Sequence, residues 1–167
     1  NPAYKSSELE YVLNKVSCKA LVIAPQVKSS NYQDILTKIA PEITQSIDKL
    51  LSSQRLPHLK HIIKIDHEQH TGIHRFADLL PEPTAAQLDQ LQAIAADLQF
   101  DETINIQFTS GTTGNPKGTM LTHNNILNNG YFVGEAIHLT PQDRVCISVP
   151  LFHCFGMVMG NLACITH

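Results

Sequence analysis

The stretch Thr109-Ser110-Gly111-Thr112-Thr113-Gly114-Asn115-Pro116-Lys117-Gly118 has the composition of a polyphosphate cradle. Its glycines permit positive φ and close backbone approach, so that successive N–H groups can point into one anion-binding concavity. Four hydroxyls, on Thr109, Ser110, Thr112 and Thr113, add donors, and Lys117 adds a compact, mobile positive charge. Pro116 fixes φ just before the lysine. Upstream, Ile104, Ile106 and Phe108 alternate with polar residues as a half-buried strand does. Downstream, Thr122-His123-Asn124-Asn125 opens a helical pattern. The spacing predicts a loop between strand and helix, where α/β folds bind phosphates.

Two common phosphate motifs are excluded. Counting from Gly111, the Walker pattern would need glycine at Pro116 and Ser or Thr at Gly118. The dinucleotide fingerprint fails because Thr113 stands where its second glycine belongs. Phe108 to Gly118 instead resembles the [YF]-T-S-G-[ST]-T-G-x-P-K-G signature of the adenylate-forming (AMP-binding) superfamily, which includes acyl-CoA synthetases, peptide-synthetase adenylation domains and luciferases. A second segment is similar to the same family. Arg144-Val145-Cys146-Ile147-Ser148-Val149 reads as a buried strand running into Pro150-Leu151-Phe152-His153-Cys154-Phe155-Gly156, which matches the family's P-[LMF]-[FY]-H-x-x-G. Asn1-Pro2-Ala3-Tyr4 and Lys19-Ala20-Leu21-Val22-Ile23 look like an earlier family segment, and Ile104 to Phe108 resembles the medium-chain fatty acyl-CoA synthetase branch.

The resemblance implies a set of roles. Thr109, Ser110, Gly111, Thr112, Thr113, Gly114, Lys117 and Gly118 would hold the phosphates of ATP, with Mg²⁺, while Phe152, His153 and Gly156 would line the acyl pocket. Lys117 and His153 are the catalytic candidates. The reaction implied joins a carboxylic, fatty acid to coenzyme A through an acyl-adenylate. Within the class, a domain loading an amino or aryl acid onto a carrier protein stays open, as does a non-catalytic phosphate-binding remnant. The family's later motifs, its ribose-binding aspartate and the lysine of its small C-terminal domain are not found. Residues 1–167 are therefore expected to be an inactive internal part of an N-terminal adenylation domain, without the C-terminal domain or the remainder of the parent.

Composition is consistent with this. The chain has 167 residues, 43% of them hydrophobic, enough for one sizeable core, and one domain is the default. A net charge of −3 argues against a nucleic-acid surface. Cys18, Cys146, Cys154 and Cys164 show no C-x-x-C pairing, and three of them lie in apolar surroundings, as reduced, buried thiols do. With no signal peptide or membrane-length apolar run, the expected location is cytoplasmic, or the mitochondrial matrix in a eukaryote.

The periodicity predicts an α/β layered domain with a largely parallel sheet flanked by helices. Ser7 and Glu10 read as a capping box before Leu9, Val12 and Leu13. Residues 19–24 and 61–65 read as strands, Tyr32 to Ile39 as a helix, and Ile43, Ile47, Leu50 and Leu51 as another. Thr84 and Gln87 cap a helix carrying Leu88, Leu91, Ala95 and Leu98. His58, His61, His67, His70 and His74 suggest a metal site, but the absence of cysteine and of a paired carboxylate favours a solvated loop and no metal. Gly130 and Gly134 are expected to let their helix lie against the sheet. His123 is read as part of a helix's first turn, although it could reach a phosphate.

Overall fold

A computed structural model describes residues 1–27, 30–109 and 114–167. The chain is α/β and divides into two compact units, Pro2–Thr84 and Ala85–His167, Asn1 grouping with the second.

In the first unit, α1 (Ser6–Lys15) is followed by β1 (Ala20–Ile23), the short antiparallel pair β2 (Gln26–Val27) and β3 (Ser30–Asn31), and α2 (Tyr32–Ile39). Strands β4 (His61–Lys64) and β5 (His74–Arg75) complete a parallel sheet in the order β1-β4-β5, with Ala20 opposite His61 and Ile63 opposite His74. The start of α1 is fixed by Glu8, whose carboxylate accepts the Lys5 N–H at 3.1 Å, so the helix begins ahead of the expected Ser7–Glu10 box. Asn31 caps α2 by accepting from the N–H groups of Gln33 and Asp34, and Pro41 lies just beyond its end. Leu36 and Ile39 of α2, Ile62 of β4, Ile43, Leu51 and Leu56 form the fully buried core.

The helix expected over Ile43, Ile47, Leu50 and Leu51 is not formed. A 3₁₀ turn covers Pro41–Gln45, and irregular chain follows that leaves Ile47 91% exposed while burying Leu51. Local polar groups compete for the backbone there: Ser46 Oγ donates to the Glu42 carbonyl, Leu50 N–H donates to Asp48 Oδ1, and Lys49 turns to φ +60°.

The second unit opens with α3 (Ala85–Asp97), which starts just after Thr84 and has no buried residue. Strands β6 (Thr103–Thr109) and β7 (Lys117–Thr122) pair antiparallel, and α4 (His123–Ala136) follows directly. Thr122 caps α4 reciprocally with Asn125, Thr122 Oγ1 accepting the Asn125 N–H and Asn125 Oδ1 accepting the Thr122 N–H. A π-helix (Phe155–Leu162) runs into α5 (Ala163–Thr166). A Cβ on Gly130 would stand 2.7 Å from Leu162 Cβ, and one on Gly134 2.3 Å from His167 Nδ1. The two glycines thus admit a neighbouring helix, not a sheet. Arg144–Val149 is not a buried strand either. No strand among the described residues pairs with it, and Val145 is 44% exposed.

Candidate active site

The signature loop spans the tip of the β6–β7 hairpin. Thr109 and Lys117 face each other across the last rung, so the ladder itself brings the two ends of the cradle together. This corrects the strand–loop–helix expectation. The residues after Lys117 pair back along β6, as far as Thr122 opposite Thr103. The N-terminus of α4 therefore lies at the other end of the hairpin. His123 lies six residues along the strand from Lys117, about 20 Å at roughly 3.3 Å per residue, which puts it out of reach of the loop.

Gly114 has φ +95° with nothing among the described residues within 4 Å of a built Cβ, so it is the conformation that calls for glycine there. At Gly118 the added Cβ would come within 3.0 Å of Ile106 Cγ2, a packing constraint. Lys117 is exposed, and none of the described residues forms an ion pair with it. It is also the one formally charged side chain between Glu102 and Glu135. An unneutralised ammonium at the base of a hydroxyl- and glycine-rich loop fits a polyphosphate. Ser110, Gly111, Thr112 and Thr113 lie outside the described residues.

The second motif is a closed turn. His153 N–H donates to the Pro150 carbonyl at 3.1 Å, and the His153 carbonyl accepts from Met157 N–H at 3.0 Å. Phe155 N–H donates to His153 Nδ1 at 3.1 Å. Gly156 is buried, and a Cβ there would meet the Pro150 oxygen at 2.5 Å, so the turn closes only on glycine. Phe152 and His153 both project as exposed side chains. No hydrogen bond or ion pair joins Lys117 to His153 among the described residues.

Sequence reasoning missed the cleft beside this turn. It has a volume of about 500 Å³ and is lined by Leu121, Ile126, Cys154, Val158 and Met159, with Asn125 and Asn129 as its polar groups. The signal was spread over three separate elements, so no local motif announced it. Cys146 and Cys164 are exposed and Cys18 and Cys154 half-buried, which corrects the expectation of buried thiols; all four are unpaired.

The histidine-rich region is more ordered than a solvated loop. Lys64 is buried, donating to Gln33 Oε1 at 2.9 Å and pairing with Asp66 Oδ2 at 2.9 Å. His70 Nε2 lies 2.9 Å from both Lys64 Nζ and Asp66 Oδ2. Burial pushes the Asp66 carboxyl up, but the hydrogen bonds from Lys64 and His70 outweigh it and hold it below the ordinary range. Donor atoms of Asp66, Glu68 and His70 lie within 4.8 Å of one another, yet a cation there would meet the Lys64 ammonium. His61 and His74 face each other across β4 and β5, Nδ1 to Nε2 at 3.2 Å.

The medium-chain acyl-CoA ligase ACSF2 (mitochondrial) of Macaca fascicularis is 44% identical over 171 residues, covering 100% of this chain and 28% of that protein. The putative acyl-CoA synthetase YngI of Bacillus subtilis is 41% identical over 169 residues, covering 99% and 30%. The chain thus spans under a third of the length of these curated relatives. The crystal structure of ATP-bound MatB from Rhodopseudomonas palustris shares the fold, with a TM-score of 0.60 at 22% identity over 99% of this chain and 27% of that one. The sequence pattern of the family described as "AMP-binding enzyme" matches residues 1–167 from end to end, and the chain belongs to that family.

Proposed function

We propose that the chain is part of an AMP-forming acyl-CoA synthetase acting on a fatty acid, with the hairpin loop holding ATP's phosphates and the His153 turn facing the acid. The observation that carries this reading is the unpaired Lys117 ammonium set by the Thr109–Lys117 rung at the base of the loop. The identity to acyl-CoA ligases over the whole chain supports it. A carboxylate oxygen of the acid attacks the α-phosphorus, and the bond to the bridging oxygen breaks to release pyrophosphate. The thiol sulfur of coenzyme A then attacks the acyl carbonyl carbon, loses its proton and expels AMP.

Charge grows on the departing pyrophosphate, so a fixed cation stabilises the transition state more than bound ATP. Lys117 supplies that cation, and the loop hydroxyls and N–H groups orient the leaving group in line. No carboxylate occurs between Glu102 and Glu135, so the oxygen ligands this segment could offer Mg²⁺ beside the nucleotide's phosphates would be its hydroxyls and carbonyls. The apolar cleft beside Cys154 would accept the acyl chain. Four unpaired cysteines suit a reducing compartment, the cytoplasm or the mitochondrial matrix.

The test is single-turnover adenylation by the full-length protein at saturating ATP. Lys117→Ala should slow it about 10²–10³-fold, the loss typical for one preorganised electrostatic partner. A variant that loses only ATP affinity and keeps its rate at saturation would make the loop a passive binding element.

A further inference from the structure

We infer that His61 and His74 together form a binding site for a divalent transition-metal ion of the Zn²⁺ class, independent of the phosphate loop and the His153 turn. This departs from the metal-free loop expected of the histidine-rich segment. The backbone sets the pair. His74 of β5 lies opposite Ile63 of β4, and His61 stands two residues before Ile63, so both histidines project from one face of the parallel sheet. Burial alternates along β4, with Ile62 and Lys64 buried and His61 exposed, so this is the more open face. The two rings meet on it, their centroids 5.3 Å apart and their planes tilted by 52°. Nδ1 of His61 and Nε2 of His74 are 3.2 Å apart.

That separation is the bite of one ion. Zn–N bonds of about 2.0–2.1 Å at a tetrahedral angle place two imidazole nitrogens roughly 3.3 Å apart. Without an ion the facing nitrogens can share one proton, N–H to N, whereas two protonated rings at this distance repel. An ion displaces that proton and takes both lone pairs. The backbone placement and the ring separation hold whichever way each imidazole is turned, and an ion selects the turn that presents nitrogen.

The surroundings favour this pair over the nearby carboxylates. The Lys49 main chain hydrogen-bonds the His74 ring, the kind of outer contact that orients a ligating imidazole. Burial and the charges of His61 and Lys49 favour the neutral, ligating form of His74. At Asp66, Glu68 and His70, by contrast, the Lys64 ammonium already lies 2.9 Å from both Asp66 Oδ2 and His70 Nε2, where a cation would have to sit. Neutral imidazoles suit Zn²⁺, Cu²⁺ or Ni²⁺, while Mg²⁺ and Ca²⁺ take oxygen ligands. Water completes the coordination on the open side. Two rungs, Ile63–His74 and Lys64–Arg75, hold β5 to β4, and the ion would staple the strands further.

The experiment takes the full-length protein, freed of metal with a chelator, and titrates it with Zn²⁺ against a chromophoric chelator, with thermal melting in parallel. The parent should bind one Zn²⁺ more than the His61→Gln/His74→Gln double variant. Zn²⁺ should raise the parent's melting temperature by about 2 °C or more beyond any rise in the double variant. Mg²⁺ should produce no such difference. Each single variant should lose at least the roughly tenfold in affinity that even an outer contact is worth. Equal stoichiometry and equal melting shifts in the parent and the double variant overturn the inference. A single variant that keeps the parent's affinity overturns it too, since the pair then does not chelate. So does loss of Zn²⁺ in His70→Gln with retention in the double variant, which puts the ion beside Asp66 and Glu68. His61 is exposed, so if the double variant does not fold, His61→Gln decides alone.

Discussion

Gly156→Ala tests the geometry on which the His153 reading stands. The added Cβ would lie 2.5 Å from the Pro150 carbonyl oxygen, 2.8 Å from its carbon and 3.0 Å from the Val149 oxygen. Ordinary carbon–oxygen contacts begin near about 3.3 Å, so the overlap with the Pro150 oxygen is roughly 0.8 Å. All three neighbours are backbone, and no rotamer change relieves the clash. The turn has to open, at the roughly 1–3 kcal/mol typical of overpacking. Opening it also shifts Phe155 N–H relative to His153, and a displacement near 1 Å at a reacting group can cost about 10²-fold. The assay pairs urea denaturation of the full-length protein with single-turnover adenylation. A Gly156→Ala protein with unchanged midpoint and rate would refute the close approach and the turn built on it.

Three other predictions follow from separate parts of the chain. Gly130→Ala should destabilise the α4 packing by about 1–3 kcal/mol, because its Cβ would meet Leu162 Cβ at 2.7 Å; an unshifted melting temperature would contradict that contact. Burial, the neighbouring His61 and Lys49 together hold His74 below the ordinary histidine value of about 6.5. The unfolded chain then takes up the proton first as pH falls, so this contribution is present above about pH 6.5 and is lost below it, apart from the carboxylates that titrate lower. His74→Gln should flatten the pH dependence of thermal stability below about pH 6.5, and an unaltered slope would exclude His74. Finally, residues 1–167 alone should yield no acyl-CoA from ATP, coenzyme A and a fatty acid, with product above a no-protein control in mass spectrometry as the contrary result.

Local chemistry made several elements legible. Tyr32, Ile35, Leu36 and Ile39 gave helical spacing ended near Pro41, and that helix is present with an Asn31 cap. The apolar runs at 20–23 and 61–64 became paired parallel strands. Burial was less legible, because periodicity identifies an apolar face but not what covers it. Ile104 and Ile106 alternate as expected on β6, yet they are 43% and 41% exposed on its two-stranded ladder. Leu88 and Leu91 of α3, and Leu98 just after it, are exposed too. Arg144–Val149 has the residues of a strand, but a strand exists only through a neighbour's hydrogen bonds. The His153 turn was read as a motif, whereas the grip of Phe155 N–H on the ring needed coordinates.

The hairpin alters how the loop must act on phosphate. In a strand–loop–helix arrangement the helix N-terminus shares the anion through its dipole, an effect that fades within the first turn. Here α4 begins about 20 Å from Lys117, beyond the roughly 8 Å over which physiological salt leaves charges in contact. Its dipole can contribute little to a ligand at the hairpin tip. What remains on this segment is the loop's own N–H and hydroxyl donors and the single ammonium of Lys117, with no acid nearby in sequence to neutralise it. A lone cation on a rigid rung cannot be replaced by a neighbour, so the loss on Lys117→Ala should not be recovered by raising ATP. Lys117→Arg should restore it only in part, because the planar guanidinium cannot take the compact position of an ammonium. Full activity in the arginine variant would mean that charge alone, and not its placement by the Thr109–Lys117 rung, is what the reaction uses.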